Sequence, residues 1–245
     1  MNRFEAVCFD VDGTLYPKWM MNLCLMKTVY PSPLLAYRYS RFRSSMRSHP
    51  EILTDPPNRE GFLQRQAISI LRSSKKAIDQ SAITGINEQI KRQFHSVWSN
   101  PRLKLTPFPY VRETFLAIRS MGLKIGILSD FPLGTKLQLM GIDDLIDVAI
   151  CSEESGYLKP HPAPFELICS RLEVQGTSIL YVGDSYPKDI LGAAGVGMTT
   201  CLVYSPGRNP NRKKQAMEKY PEADTICSGY KELLDWCIKV QNGGV

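Results

Sequence analysis

Five short apolar runs, none longer than eight residues, constrain this 245-residue chain more than any other feature. They are Phe4–Val11 (FEAVCFDV), Leu123–Asp130 (LKIGILSD), Asp147–Ser152 (DVAICS), Ser178–Asp184 (SILYVGD) and Met198–Tyr204 (MTTCLVY). Near-continuous apolar character with β-branched residues is what parallel strands covered on both faces require. Helix-like stretches lie between them, at Pro109–Gly122, Thr135–Gly141, Ala163–Val174 and Pro187–Gly197, several stopping at a glycine as helices often do. This alternation specifies an α/β fold, a doubly wound parallel sheet with right-handed crossovers. A last strand and helix are expected within Glu222–Val240, and an exposed basic loop over Ser205–Gln215.

Residues 16–105 break the alternation. Three helical segments are expected there, Leu34–Ser48, Asn58–Ser74 and Ile83–Ser99, with breaks around Pro31, Pro33, Pro50, Pro56 and Pro57. The apolar stretch Trp19–Tyr30 is interrupted by Asn22 and Lys27, and suits a packed helix better than a membrane span. The expected organisation is a Rossmann-like core from 1–15 and 106–245, with an all-α domain, 16–105, inserted after the first strand. Charge follows the same division. Between Tyr16 and Leu105 there are 15 Lys and Arg against 5 Asp and Glu, a net of +10, whereas the rest of the chain nets −4. A basic module of this kind either meets something anionic or carries a solvated helical face.

The polar residues collect at strand ends. Asp10 and Asp12 close the first run, Ser129 and Asp130 the second, and Gly183, Asp184 and Ser185 the fourth, with Asp189 soon after and Lys159 following the third. In an open parallel sheet, ligands bind outside the carboxyl ends of the strands. Carboxylates crowded there repel one another unless a cation joins them. Hard oxygen donors suit Mg²⁺, which is commonly held by one or two carboxylates together with substrate phosphate. Gly13 falls too early after Asp10 for a calcium-binding loop of the EF-hand type.

DVDGTL (Asp10–Leu15), the run ending at Ser129, Lys159 before Pro160, and GDSYPKD (Gly183–Asp189) resemble, in chain order, the four motifs of the haloacid dehalogenase-like superfamily. The insertion resembles the helical cap of its phosphoglycolate phosphatase-like subfamily. The resemblance implies a phosphatase in which Asp10 is the nucleophile, Asp12 the general acid and base, and Ser129 and Lys159 the groups that bind the phosphoryl oxygens. It also implies Mg²⁺ held by Asp10, the backbone carbonyl of Asp12, Asp184 and Asp189. Relatives that cleave carbon–halogen bonds generally lack an acid at the position of Asp12. A phosphomutase of the same superfamily would share every one of these residues, and a phosphonate hydrolase would need a lysine from the insertion; Lys18, Lys27, Lys75, Lys76, Lys91 and Lys104 are available.

Asp189 has a structural alternative as a helix N-terminal charge, and Asp130 is expected to cap the following helix in preference to touching substrate. His161 stands where relatives often have Asp and is given no chemistry; His49 and His95 are expected as surface or packed residues. The insertion's charge favours a small, polyanionic phosphorylated substrate. A different alternative is a basic face for nucleic acid or a membrane surface, built from Arg38, Arg41, Arg43 and Arg47 with Tyr37, Tyr39, Phe42 and Phe94 interleaved. The seven cysteines form no C-x-x-C pair, and the N-terminus lacks a signal-peptide pattern, so reduced thiols and a cytoplasmic location are expected.

Overall fold

Strand β1 (Ala6–Phe9) opens the chain and leads into four helices, α1 (Lys18–Val29), α2 (Pro33–Ser48), α3 (Arg59–Ser73) and α4 (Gln80–Ile90). The regular alternation then begins: α5 (Val111–Ser120), β2 (Lys124–Ser129), α6 (Lys136–Leu139), β3 (Val148–Cys151), α7 (Pro162–Leu172) and β4 (Ile179–Gly183). It continues through α8 (Leu191–Gly195), β5 (Thr199–Val203), α9 (Pro210–Lys219), β6 (Thr225–Cys227) and α10 (Tyr230–Gln241). The structure is a computed structural model that describes residues 4–49, 57–99, 104–204 and 210–241. The breaks expected at Pro50 and Pro56 lie outside the described residues.

The six strands form one parallel sheet in the order β3-β2-β1-β4-β5-β6. The order reverses between β1 and β4, which makes that junction the switch point where such sheets open a crevice. Both sheet faces are buried, and β1 shows why its residues are apolar without a break. Val7 and Phe9 point to one side, into a cluster with Phe115, Ile118 and Leu233, while Ala6 and Cys8 point to the other, against Phe165, Ile168 and Leu172. The Phe9 and Phe115 rings lie 4.6 Å apart. Six cysteines among the described residues are free thiols.

The helical insert has its own apolar centre, made by Leu35, Tyr39, Ile70, Leu71, Ile83, Ile86, Ile90 and Phe94. α4 starts earlier than the periodicity predicts, because Asp79 caps it by accepting from the Ala82 amide at 2.9 Å. Helix α1 is half covered rather than packed all round. Met20, Met21 and Leu25 face the main core, while Trp19, Leu23 and Met26 are exposed. No helix among the described residues is long and apolar enough to cross a membrane. Of the loop expected over Ser205–Gln215, residues 205–209 lie outside the described residues, and 210–215 belong to α9.

A set of buried ionic contacts joins insert to core, and it overturns the basic aromatic face. Arg43 Nη1 donates to Glu153 Oε1 at 2.5 Å, Arg43 Nη2 donates to the Asp130 carbonyl, and Arg47 Nη2 donates to Asp130 Oδ2 at 2.8 Å. Arg43 and Arg47 are one helical turn apart, so both reach the core from one side of α2. Tyr39, Phe42 and Phe94 are buried beside them, leaving only Tyr37 of the four aromatics on the surface. Asp130 therefore ties insert to core instead of capping α6; burial alone would raise its carboxyl pKa, but Arg47, Lys159 and Arg43 hold it well below the usual range. Phe131 follows it into the apolar centre of the insert.

His95 is packed, with its Nε2 3.3 Å from the Tyr39 hydroxyl. Burial, opposed by Glu153 and reinforced by Arg43, Arg59 and Lys136, lowers its pKa from 6.5 to about 4. Between those values the unfolded chain binds the extra proton, so the contribution to stability is complete above the unfolded pKa and is lost as pH falls through the folded one. Urea unfolding from pH 7 to pH 4 is therefore expected to show an acid loss on the order of 2 kcal/mol in the wild type that His95→Gln lacks. Equal acid loss in both proteins would remove His95 as its source.

Candidate active site

The crevice at the switch point is built by the first turn after β1. Asp10 continues the ladder, its amide donating to the Val182 carbonyl at 2.9 Å, and the chain then turns through Gly13, whose φ is +108°. A Cβ on Gly13 would lie 2.5 Å from Asp184 Oδ2, so this position serves both the left-handed turn and the close approach of the acid after β4. The Thr14 hydroxyl folds back to donate to Asp10 Oδ2 at 2.9 Å, and the Tyr230 hydroxyl holds the Thr14 carbonyl at 2.9 Å. The Asp10 side chain is thus held by a hydroxyl four residues on, on a turn that Tyr230 itself fixes.

Asp10 and Asp12 have different surroundings. Lys159, fully enclosed, places its Nζ 2.7 Å from Asp10 Oδ1 and 2.6 Å from Asp189 Oδ1, and also approaches the Leu128 carbonyl and the Tyr181 hydroxyl. Burial disfavours that ammonium, but Asp10 and Asp189 outweigh it and hold its pKa well above the ordinary lysine value. Asp10, Asp184 and Asp189 each present a carboxylate oxygen within 4.8 Å of the others. Burial raises the Asp184 carboxyl pKa, Asp10 adding to it and Lys18 opposing at 3.2 Å. Asp189 is also raised by burial, with Lys159 opposing and Asp10 adding. Such a donor set is short of positive charge and rich in hard oxygen, which fits Mg²⁺.

Asp12 stands outside that group. Its two oxygens accept from Lys136 Nζ at 2.7 and 2.9 Å, Tyr16 donates to Oδ1, and the Ser129 hydroxyl lies 3.5 Å from Oδ2. The second half of the crevice comes from β4, where Gly183 leaves room for the Asp189 side chain; a Cβ there would lie 2.3 Å from Asp189 Cβ. Asp189 Oδ2 also accepts from the Ser185 amide at 3.0 Å, so the residue expected as either a helix N-terminal charge or a metal group makes a local backbone contact and also lies within the acidic group. All six residues expected at the site, Asp10, Asp12, Ser129, Lys159, Asp184 and Asp189, converge on this edge.

Three residues at the site escaped the sequence reading. Thr14 and Tyr16 lie within or just after the first motif, and their spacing of four from Asp10 and Asp12 is the only signal they carry. Lys136 begins α6, a position where a lysine is ordinarily solvated; only its place just beyond the end of β2, at the same sheet edge, marks it. Of the lysines considered from the insert, Lys18 meets the acidic group, while the Lys27 side chain lies outside the described residues. His161 has a structural role. Its Nδ1 accepts from the Ala163 amide at 3.1 Å at the start of α7, and its ring stacks 3.8 Å from that of Tyr157.

Comparison with known proteins places the chain in a family. Residues 4–197 match the haloacid dehalogenase-like hydrolase family. Over 94% of its length the chain is 32% identical to the glyceraldehyde 3-phosphate phosphatase of Methanocaldococcus jannaschii, covering 96% of that protein. It is 30% identical to the ribulose-1,5-bisphosphate 5-phosphatase of Halopiger xanaduensis, with 90% of this chain and 91% of the relative aligned. Among solved structures, a 2-haloacid dehalogenase from Pseudomonas syringae superposes with a TM-score of 0.60 at 21% identity, covering 96% of this chain and 99% of that one. The chain belongs to the haloacid dehalogenase-like hydrolases.

Proposed function

We propose that this enzyme, a phosphatase, hydrolyses a small phosphate monoester with the help of Mg²⁺ and through an aspartyl-phosphate on Asp10. The observation that carries the proposal is the unequal setting of two neighbouring carboxylates. Asp10 belongs to the acidic group with Lys159 at its side, whereas Asp12 is held apart by Lys136, Tyr16 and Ser129. A nucleophile and a proton carrier need such a difference. The dehalogenase likeness rests on fold alone, and the presence of Asp12 favours phosphate chemistry. The relatives aligned over nearly the whole chain are named as phosphatases.

In the first step an Asp10 oxygen attacks phosphorus, the bond from phosphorus to the leaving oxygen breaks, and the departing electron pair takes a proton from the Asp12 carboxyl. Water then attacks the phosphoryl group, gives its proton to the Asp12 carboxylate, and the bond from phosphorus to Asp10 breaks. Ser129 would donate to a phosphoryl oxygen, and Lys159 would balance charge on that group and on Asp10. Asp10, the Asp12 carbonyl, Asp184 and Asp189 would hold Mg²⁺, which when bound neutralises phosphoryl charge.

Residues 16–105 would act as a cap domain over the core made by 1–15 and 106–245, excluding water and choosing the substrate. The cap's positive charge is partly committed elsewhere: Arg43 and Arg47 face Glu153 and Asp130. The remaining basic residues still favour a polyanionic ester, in keeping with the bisphosphate named for the Halopiger relative.

Phosphate release from a panel of monoesters should depend on added Mg²⁺, vanish with chelator, and fall by at least about 10³-fold in Asp10→Asn. Release that is equal in wild type and Asp10→Asn on every ester would refute the assignment. Asp184→Asn should raise the Mg²⁺ concentration for half-maximal rate by about tenfold or more; an unchanged requirement would remove Asp184 from the metal site. For a bisphosphate, kcat/KM should drop several-fold between about 0.05 and 0.5 M salt, and less for a monophosphate with a neutral remainder. Identical salt responses would assign the cap charge to solvation alone.

A further inference from the structure

Lys136 lies outside the four motifs, yet it is enclosed as completely as Lys159. Burying an ammonium is costly unless its donors are satisfied. Asp12 and one aromatic neighbour satisfy it: Nζ donates to both Asp12 oxygens, at 2.7 and 2.9 Å, and stands 3.9 Å from the centre of the Trp98 ring, a cation–π distance. Trp98 is itself anchored to the segment that carries Lys136. Its carbonyl accepts from the Thr135 amide at 2.9 Å and from the Thr135 hydroxyl at 2.8 Å. Trp98 sits on the returning connection from insert to core, so the ring, the ammonium and Asp12 form one stack from that connection to the crevice.

We propose that Lys136 is a positioning residue for the phosphatase reaction: it fixes the side-chain rotamer of Asp12, the group that exchanges a proton with the leaving oxygen and with water in the reaction proposed above, and Trp98 sets the place of the ammonium. The inference rests on the function proposed above and adds a residue to it. Lys136 touches neither Asp10 nor the acidic group, so its effect passes through Asp12. Lys136 reaches both Asp12 oxygens, while Tyr16 donates to one of them and Ser129 lies near the other, so the carboxylate is held in a single orientation in which, among the described residues, the ammonium carries the only charged contact. A proton delivered in the correct direction matters for an alkyl leaving group, whose oxygen is a strong base, and little for p-nitrophenolate, which departs unprotonated.

The test is the ratio of kcat/KM for an alkyl phosphate to kcat/KM for p-nitrophenyl phosphate, measured with Mg²⁺ on the full chain in wild type, Lys136→Met, Lys136→Gln and Trp98→Leu. In Lys136→Met the ratio should fall by roughly tenfold or more, with smaller falls in the other two. In an Asp12→Asn background, Lys136→Met should leave the ratio unchanged, because the group it positions is gone. Loss of both activities in equal proportion, or no loss, would mark Lys136 as structural and overturn the proposal. If Lys136→Met does not fold, the ratio in Lys136→Gln and Trp98→Leu decides in the same way. Wild type that matches Asp10→Asn on both esters would instead refute the phosphatase mechanism itself, and the inference with it.

Discussion

Repulsion among carboxylates at the β1–β4 junction is the constraint on which the rest of the structure depends. Asp10, Asp184 and Asp189 crowd within 4.8 Å, with Asp12 two residues along the chain. In a buried setting such charges persist only beside cations. The fold supplies Lys159 from the segment after β3, Lys136 from the start of α6 and Lys18 from the start of α1. Each comes from a different crossover, so the acids are all compensated only once β1, β2, β3 and β4 lie side by side.

The same logic governs how the insert meets the core. Arg43 is enclosed by the Phe131, Tyr39 and Phe62 rings and faces Glu153, itself fully buried. Removing one partner of such a pair leaves a lone buried charge, which costs more than the pair gains. Asp130 connects this contact to the site, since it binds Arg47 through one oxygen and the Lys159 amide through the other. The residue beside Ser129 thereby links the position of the helical insert to the backbone that carries Lys159. Positive charge that reads in the sequence as available to partners is in part committed to this joint.

Much of the architecture was legible because parallel strands announce themselves. All five expected runs contain strands, with ends moved inward by one or two residues, and the expected last strand is β6. The convergence of these residues was legible because strand ends share one edge, so residues as distant as Asp10 and Asp189 could be placed together from order alone. The inward turn of Lys136 and Arg43 was not legible. A lysine or arginine on a polar helix is ordinarily solvated, and nothing local distinguishes the few that turn inward. Asp130 looked like a helix cap for a similar reason: its neighbours in sequence permit a cap, while its partners in space come from α2 and from Lys159.

The sequence by itself determined the sheet and which carboxylates stand at its strand ends, because periodicity and strand-end position are local properties. Tertiary structure decided which cations answer those acids. An ion pair across 124 residues, such as that between Asp12 and Lys136, leaves no trace in either neighbourhood. It exists because β1 and β2 are adjacent in the sheet, and that adjacency brings the chain after β2 to the end of β1. The difference between Asp10 and Asp12, two identical side chains separated by a single valine, is accordingly a product of packing.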